Sequence, residues 1–125
     1  MLKITRTNTF SAAHFLPLTP EKHHKCRGMH GHSYEVTVEV TGDVDDAGWI
    51  IDTGLIDKAY GYIHAMLDHK TLNEVAGLEN PTTENLVVWL WEKFHKTFGD
   101  TRNVHKIGVT VKEGFDSTAF YDGVV

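Results

Sequence analysis

The sequence predicts an α+β domain of order ββααββ, an antiparallel four-stranded sheet with two helices on one face. Three observations predict it. Residues 32–42 alternate with period two: His32, Tyr34, Val36, Val38 and Val40 share one face, Ser33, Glu35, Thr37, Glu39 and Thr41 the other. Two central segments carry apolar residues at helical spacing behind strong start signals. The alternation then returns at Ile107, Val109 and Val111.

The elements follow in order. Residues 2–15, rich in Thr and Ile, read as the first strand. Pro17 to Gly31 read as the loop joining it to the second. Asp43 to Gly48 is turn-rich, and Trp49-Ile50-Ile51-Asp52 reads as a short extended piece. A helix starts near Asp52 or Thr53, either of which can cap it, and Ile56, Ala59, Tyr60, Ile63 and Leu67 form its apolar face. Asn80-Pro81-Thr82-Thr83-Glu84 starts a second helix, with Pro near the first turn and hydroxyls placed to cap. Its apolar face is Leu86, Val87, Leu90, Trp91 and Phe94, and Gly99 closes it. The third strand keeps Glu113 on the parity of its apolar residues, Gly114 to Ser117 turn the chain, and Ala119-Phe120-Tyr121 form the fourth strand. No linker or repeat divides residues 1–125, so one domain is expected. A sheet this open leaves edges that must be covered, and subunit association is the usual remedy.

Composition narrows the function classes. A formal net charge of −5 makes nucleic acid a poor partner, because phosphate backbones need a basic surface. The short cluster Glu21-Lys22-His23-His24-Lys25-Cys26-Arg27 is a local exception. No apolar run has the length of a membrane span; the longest, Leu86 to Trp91, fits a buried helix face. One cysteine excludes an internal disulfide, and the N-terminus lacks the apolar core of a secretory signal. Together these predict a cytoplasmic protein.

The chemistry concentrates in Cys26-Arg27-Gly28-Met29-His30-Gly31-His32. On a strand, His30 and His32 point to one side. Gly31 between them suggests close backbone approach or an unusual turn angle. If the first two strands pair, His14 arrives beside both, and three imidazoles with an open fourth position are how catalytic zinc sites are built. Cys26 is either a fourth, structural ligand or a reactive thiol; flanking Lys25 and Arg27, which favour a thiolate, support the second. Asp68 precedes His69, and a carboxylate there can orient the imidazole. Glu113 either caps the sheet at the surface, which the pattern alone favours, or reaches into a pocket. The remaining histidines, His23, His24, His64, His95 and His105, have no partner spacing and read as surface or packing residues.

Six stretches carry a resemblance over nearly the whole chain: Phe10-Ser11-Ala12-Ala13-His14, Cys26 with His30-Gly31-His32-Ser33-Tyr34, Gly48-Trp49-Ile50-Ile51-Asp52, Leu67-Asp68-His69-Lys70-Thr71-Leu72-Asn73, Glu79-Asn80-Pro81-Thr82-Thr83-Glu84-Asn85 and Val111-Lys112-Glu113. They resemble the 6-pyruvoyl-tetrahydropterin synthase superfamily. The three residues between Cys26 and His30 resemble its carboxy-forming branch, the 6-carboxy-tetrahydropterin synthases of the queuosine pathway, rather than the pyruvoyl-forming enzymes, whose insertion is longer. The resemblance implies the tunnelling fold, in which subunits join into trimeric barrels, usually stacked as a dimer of trimers, with active sites at subunit interfaces. It implies zinc (Zn2+) held by His14, His30 and His32, a catalytic thiol at Cys26, a proton-carrying pair at Asp68 and His69, and a pterin-anchoring carboxylate at Glu113. The implied substrate is 7,8-dihydroneopterin triphosphate; the products are 6-carboxy-5,6,7,8-tetrahydropterin, acetaldehyde and triphosphate. Basic residues at the pocket mouth should meet the triphosphate. The chain departs from the pattern at Thr53, where an aromatic is common, and at Gly114-Phe115-Asp116, where small hydroxyl residues or Pro are usual. A pyruvoyl-forming synthase and a non-catalytic, zinc-bearing pterin binder are the competing readings.

Overall fold

The structure is a computed structural model and describes residues 1–20 and 24–124. Four strands, β1 (Leu2–His14), β2 (His30–Gly42), β3 (Val104–Glu113) and β4 (Ser117–Tyr121), form one antiparallel sheet in the order β1-β2-β3-β4. Two helices, α1 (Thr53–Leu67) and α2 (Thr83–Phe98), connect β2 to β3. The α+β, ββααββ architecture is as the sequence predicts.

The period-two pattern does the sorting. Tyr34, Val36, Val38 and Val40 on β2 and Ile107, Val109 and Val111 on β3 are all buried, as are Ile56, Ile63 and Leu67 of α1 and Leu86, Leu90 and Phe94 of α2. The opposite face of the sheet carries hydroxyls and charges, among them Thr7, Thr37, Glu39 and Lys3. Asp52 caps α1, accepting from the Gly54 amide, and Thr82 caps α2, accepting from the Asn85 amide. Phe94 is fully buried and meets Tyr60 edge to face, ring centroids 5.0 Å apart, joining α2 to α1. Phe94→Ala should therefore cost about 3–5 kcal/mol in denaturant unfolding. A loss below about 1 kcal/mol would mean that the helix pair repacks without it.

Several boundaries differ from the sequence reading. β2 begins at His30, two residues early, and within the preceding loop Lys25–Arg27 form a single 3-10 turn. Trp49 to Asp52 are a bend, unpaired in the sheet, although Ile50 and Ile51 are buried. Trp89, not Trp91, is the buried tryptophan of α2. β4 starts at Ser117, inside the expected turn. Gly99 does close α2, but in right-handed helical geometry (φ −60°) rather than the left-handed conformation that favours glycine at helix ends.

Candidate active site

Strand register builds the first half of the site. β1 and β2 pair with Ala12 opposite His32 and His14 opposite His30. Because His14, His30 and His32 all lie on the helix-facing parity, the three rings meet edge to face, with centroids 4.6–5.0 Å apart. One nitrogen from each lies within 4.8 Å of the others. His14 Nε2 and His30 Nε2 stand 3.1 Å apart.

The Nδ1 atoms of His14 and His30 are spoken for. His14 Nδ1 lies 3.0 Å from the Pro81 carbonyl and 3.3 Å from the Tyr34 hydroxyl. His30 Nδ1 lies 2.7 Å from the Gly28 carbonyl. A carbonyl only accepts, so each Nδ1 carries its proton and each Nε2 turns a lone pair inward. Burial also pushes the His14 pKa down, keeping that ring neutral, against a smaller upward pull from the Pro81 carbonyl. His32 Nε2 is buried with no hydrogen-bond partner among the described residues. Two converging lone pairs, beside a third imidazole whose Nε2 is buried without a hydrogen bond, are what a divalent ion requires, and the set fits a metal centre of three histidines. Imidazole also suits iron, nickel and copper, so the residues define the site rather than the ion.

Glu113 borders this cluster. Its Oε1 lies 3.4 Å from His32 Nε2, and its Oε2 accepts from the Thr83 hydroxyl at 2.8 Å. The side chain is 18% exposed, so the surface position that the pattern alone favoured is not the one it takes. Thr83 is a residue that sequence reasoning missed. The doublet Thr82-Thr83 held the signal, because one hydroxyl suffices to cap α2.

Cys26 sits on the 3-10 turn, partly buried. Its amide donates to His24 Nδ1 (3.1 Å) and its carbonyl accepts from the Leu16 amide (2.7 Å). The sulfur lies outside the group of mutually close ligand atoms, which counts against its being a fourth ligand. Arg27 turns to Thr19, donating from Nε to the hydroxyl (2.7 Å) and from Nη2 to the carbonyl (3.1 Å). Residues 21–23 of the basic cluster, with His23, lie outside the described residues.

Asp68 and His69 occupy the far side of β1. Asp68 Oδ1 accepts from the Ser11 amide (3.0 Å), and Oδ2 lies 2.7 Å from His69 Nδ1. The Ser11 amide, then the His69 ring, hold the Asp68 carboxyl below the usual carboxylate range, so at neutral pH it stays an acceptor for the imidazole N–H. His69 has φ +58°, the left-handed region that costs a non-glycine residue, and its amide is pinned to the Ser11 carbonyl at 2.7 Å. Its side chain is 83% exposed. Among the described residues, neither Asp68 nor His69 touches the imidazole cluster through a hydrogen bond, ion pair or ring contact. One chain brings His14, His30, His32 and Glu113 into contact, whereas His69 lines an open cavity together with His32 without bonding to it among the described residues.

Gly31 plays a different part from the one its position suggested. It lies within a regular strand, and a Cβ there would meet only the Ala12 carbonyl at an ordinary 3.6 Å. It lines an open cavity of about 520 Å³ together with Ser11, Ser33, His69, Lys70 and Thr71, and its missing side chain leaves that space free. The surface-or-packing reading of the other described histidines needs one amendment: His64 Nε2 lies 3.6 Å from Asp68 Oδ2. His24 caps the 3-10 turn, His95 stacks on Trp91 and His105 pairs with Asp43.

Comparison with known proteins agrees with this architecture. The family model described as 6-pyruvoyl tetrahydropterin synthase matches residues 3–124. The 6-carboxy-5,6,7,8-tetrahydropterin synthase of Synechocystis sp. is 36% identical over 97 residues, 70% of each chain. The dihydroneopterin monophosphate aldolase of Pyrococcus furiosus is 32% identical over 95 residues, 75% of this chain and 76% of its own. The structure of 6-pyruvoyl tetrahydropterin synthase from Caenorhabditis elegans superposes with a TM-score of 0.86 at 26% identity, covering 98% of this chain and 96% of that one. A sheet whose register gathers three imidazoles, and a match running from residue 3 to residue 124, make this chain a member of the 6-pyruvoyl tetrahydropterin synthase family.

Proposed function

We propose that the chain is a zinc-dependent lyase of the carboxy-forming branch, acting on 7,8-dihydroneopterin triphosphate in queuosine biosynthesis, in the cytoplasm. The observation that carries this reading is the close trio of imidazole nitrogens from His14, His30 and His32 with the Glu113 carboxylate beside it. The balanced reaction takes the substrate and one water to 6-carboxy-5,6,7,8-tetrahydropterin, acetaldehyde and triphosphate. The substrate's own side chain supplies the reducing equivalents, so no redox cofactor is needed.

His14, His30 and His32 would hold the ion, which when bound supplies Lewis acidity to the hydroxyls of the substrate side chain. The chain's other residues handle binding and protons. Glu113, fixed by Thr83, accepts hydrogen bonds from the pterin amino and ring N–H groups and discriminates against rings lacking that donor pair. The Cys26 thiolate removes a proton from the side chain. His69, oriented by Asp68, exchanges protons as general acid and base.

His69 is exposed and bonds to none of its own chain's imidazoles among the described residues, which a second copy would account for. Asp68 and His69 of one subunit serve the metal centre of its neighbour, as interface active sites in an assembly of trimers require. The spacing of Cys26 and His30 supports the carboxy-forming branch over the pyruvoyl-forming one. Incubating metal-loaded protein with dihydroneopterin triphosphate and identifying both fragments by mass should yield the carboxylated pterin and acetaldehyde. A pyruvoyl product, or glycolaldehyde phosphate from a monophosphate substrate, would refute the assignment.

A further inference from the structure

The cavity beside His69 gathers a lysine and several hydroxyls with no carboxylate in its lining. Its lining is Ser11, Ala12, Ala13, Gly31, His32, Ser33, His69, Lys70 and Thr71, with no aspartate or glutamate, in a chain of net charge −5. The Ser11 and Ser33 hydroxyls stand 3.5 Å apart. Thr71 precedes a 3-10 turn (Leu72–Glu74) without capping it, so its hydroxyl is left for another acceptor. Lys70 is exposed and has no carboxylate partner among the described residues. Its backbone is held independently of its side chain: the amide donates to the Leu67 carbonyl and the carbonyl accepts from the Ala13 amide.

We infer that Lys70, with the hydroxyls of Ser11, Ser33 and Thr71, forms the subsite for the phosphate tail of the substrate. This rests on the reading of the protein as a pterin lyase and deepens it. A polyphosphate offers only acceptor oxygens and several negative charges. An unpaired ammonium among hydroxyl donors, without a competing carboxylate in the lining, is the chemistry that receives it. Lys70 follows His69 in the chain and lines the same cavity, so it reaches whichever bound substrate His69 reaches. The proton carrier and the phosphate anchor then arrive as one unit on the stretch that follows α1. The role of Lys70 is positioning and binding.

Calorimetric titration of inorganic tripolyphosphate into the full-length protein tests this, with metal content verified equal across variants. Lys70→Ala should weaken binding about tenfold, the range of one charge-assisted contact, and Lys70→Arg should recover most of it. Lys96→Ala near the C-terminal end of α2 makes the same charge change away from the cavity and should shift affinity less than about twofold. The KM for dihydroneopterin triphosphate should rise with Lys70→Ala in parallel. Wild-type affinity in Lys70→Ala, an equal loss in Lys96→Ala, or no tripolyphosphate binding by the wild type would overturn the subsite. The two proposals fail separately. Lys70-dependent tripolyphosphate binding without pterin turnover removes the lyase and keeps the subsite. Turnover whose KM ignores Lys70 removes the subsite and keeps the lyase.

Discussion

Cys26→Ala should reduce pterin turnover by a factor of about 10²–10⁴, the contribution of a positioned proton-transfer group, while metal content stays at the wild-type level. The structure makes this variant unusually clean. The 3-10 turn is held through the Cys26 main chain, its amide donating to the His24 side-chain Nδ1 and its carbonyl accepting from the Leu16 amide, and both survive truncation to alanine. The sulfur has no hydrogen-bond partner among the described residues, so its removal strands no buried group. It also lies outside the close group of imidazole nitrogens, so the ion has no reason to leave with it. Turnover and metal content therefore separate the two roles open to the thiol. Loss of rate with metal retained makes it the base. Loss of both makes it a ligand, as a closed site of three histidines and one cysteine would. A variant with the wild-type rate would leave proton removal to another group. Cys26→Ser, with a far less acidic hydroxyl, should fall with alanine rather than recover.

How much of this was legible beforehand follows from the range of each signal. Alternation is local, and it gave β2 and β3 together with their buried faces. Once β1 and β2 pair, residue parity alone places His14, His30 and His32 on one side. The start of β2 was hidden because His30 and Gly31 are weak strand formers whose pairing is dictated by His14 and Ala13 across the hairpin. Trp49-Ile50-Ile51 read as extended in the sequence but bend in the structure, because apolar content reports burial, and a bend can bury Ile50 and Ile51 as well as a strand can. At Gly99 the residue type signalled the helix end correctly for a reason the backbone does not use. A Cβ there would collide with His95, so steric room rather than left-handed freedom suits glycine at that position.

Non-local relations were the least legible. That Thr83 holds Glu113 depends on the N-terminus of α2 meeting the end of β3, thirty positions away, and no periodicity encodes it. The adjacency of Asp68 and His69 was plain, but that neither bonds to the imidazoles among the described residues was not. It arises because the chain leaving α1 runs along the edge of β1, where the Ser11 carbonyl takes the His69 amide and the Lys70 carbonyl takes the Ala13 amide. The same contacts hold His69 in its strained conformation while its side chain stays exposed, so the local cost is tied to where the imidazole points.

His30→Ala should lose most of its bound metal and at least about a thousandfold in rate, since the Lewis-acid contribution amounts to several kcal/mol. His30 is a better probe than its neighbours. His14 is 1% exposed and touches the Pro81 carbonyl and the Tyr34 hydroxyl, so its removal would open a cavity beside two polar groups and confuse unfolding with loss of metal. His32 is entangled with Glu113, and its truncation would also disturb that carboxylate. His30 is only partly buried, and outside the imidazole cluster its hydrogen-bond partner among the described residues, the Gly28 carbonyl, lies where water can replace it. The apo variant should therefore unfold near the apo wild type, while added zinc should raise the midpoint of the wild type much more than that of His30→Ala, because a ligand stabilises only as far as it binds the folded state. Elemental analysis gives the metal content and thermal melts with and without zinc give the linkage. Full occupancy in His30→Ala would remove it from the ligand set. Equal zinc-induced shifts in both proteins would place the ion elsewhere on the chain.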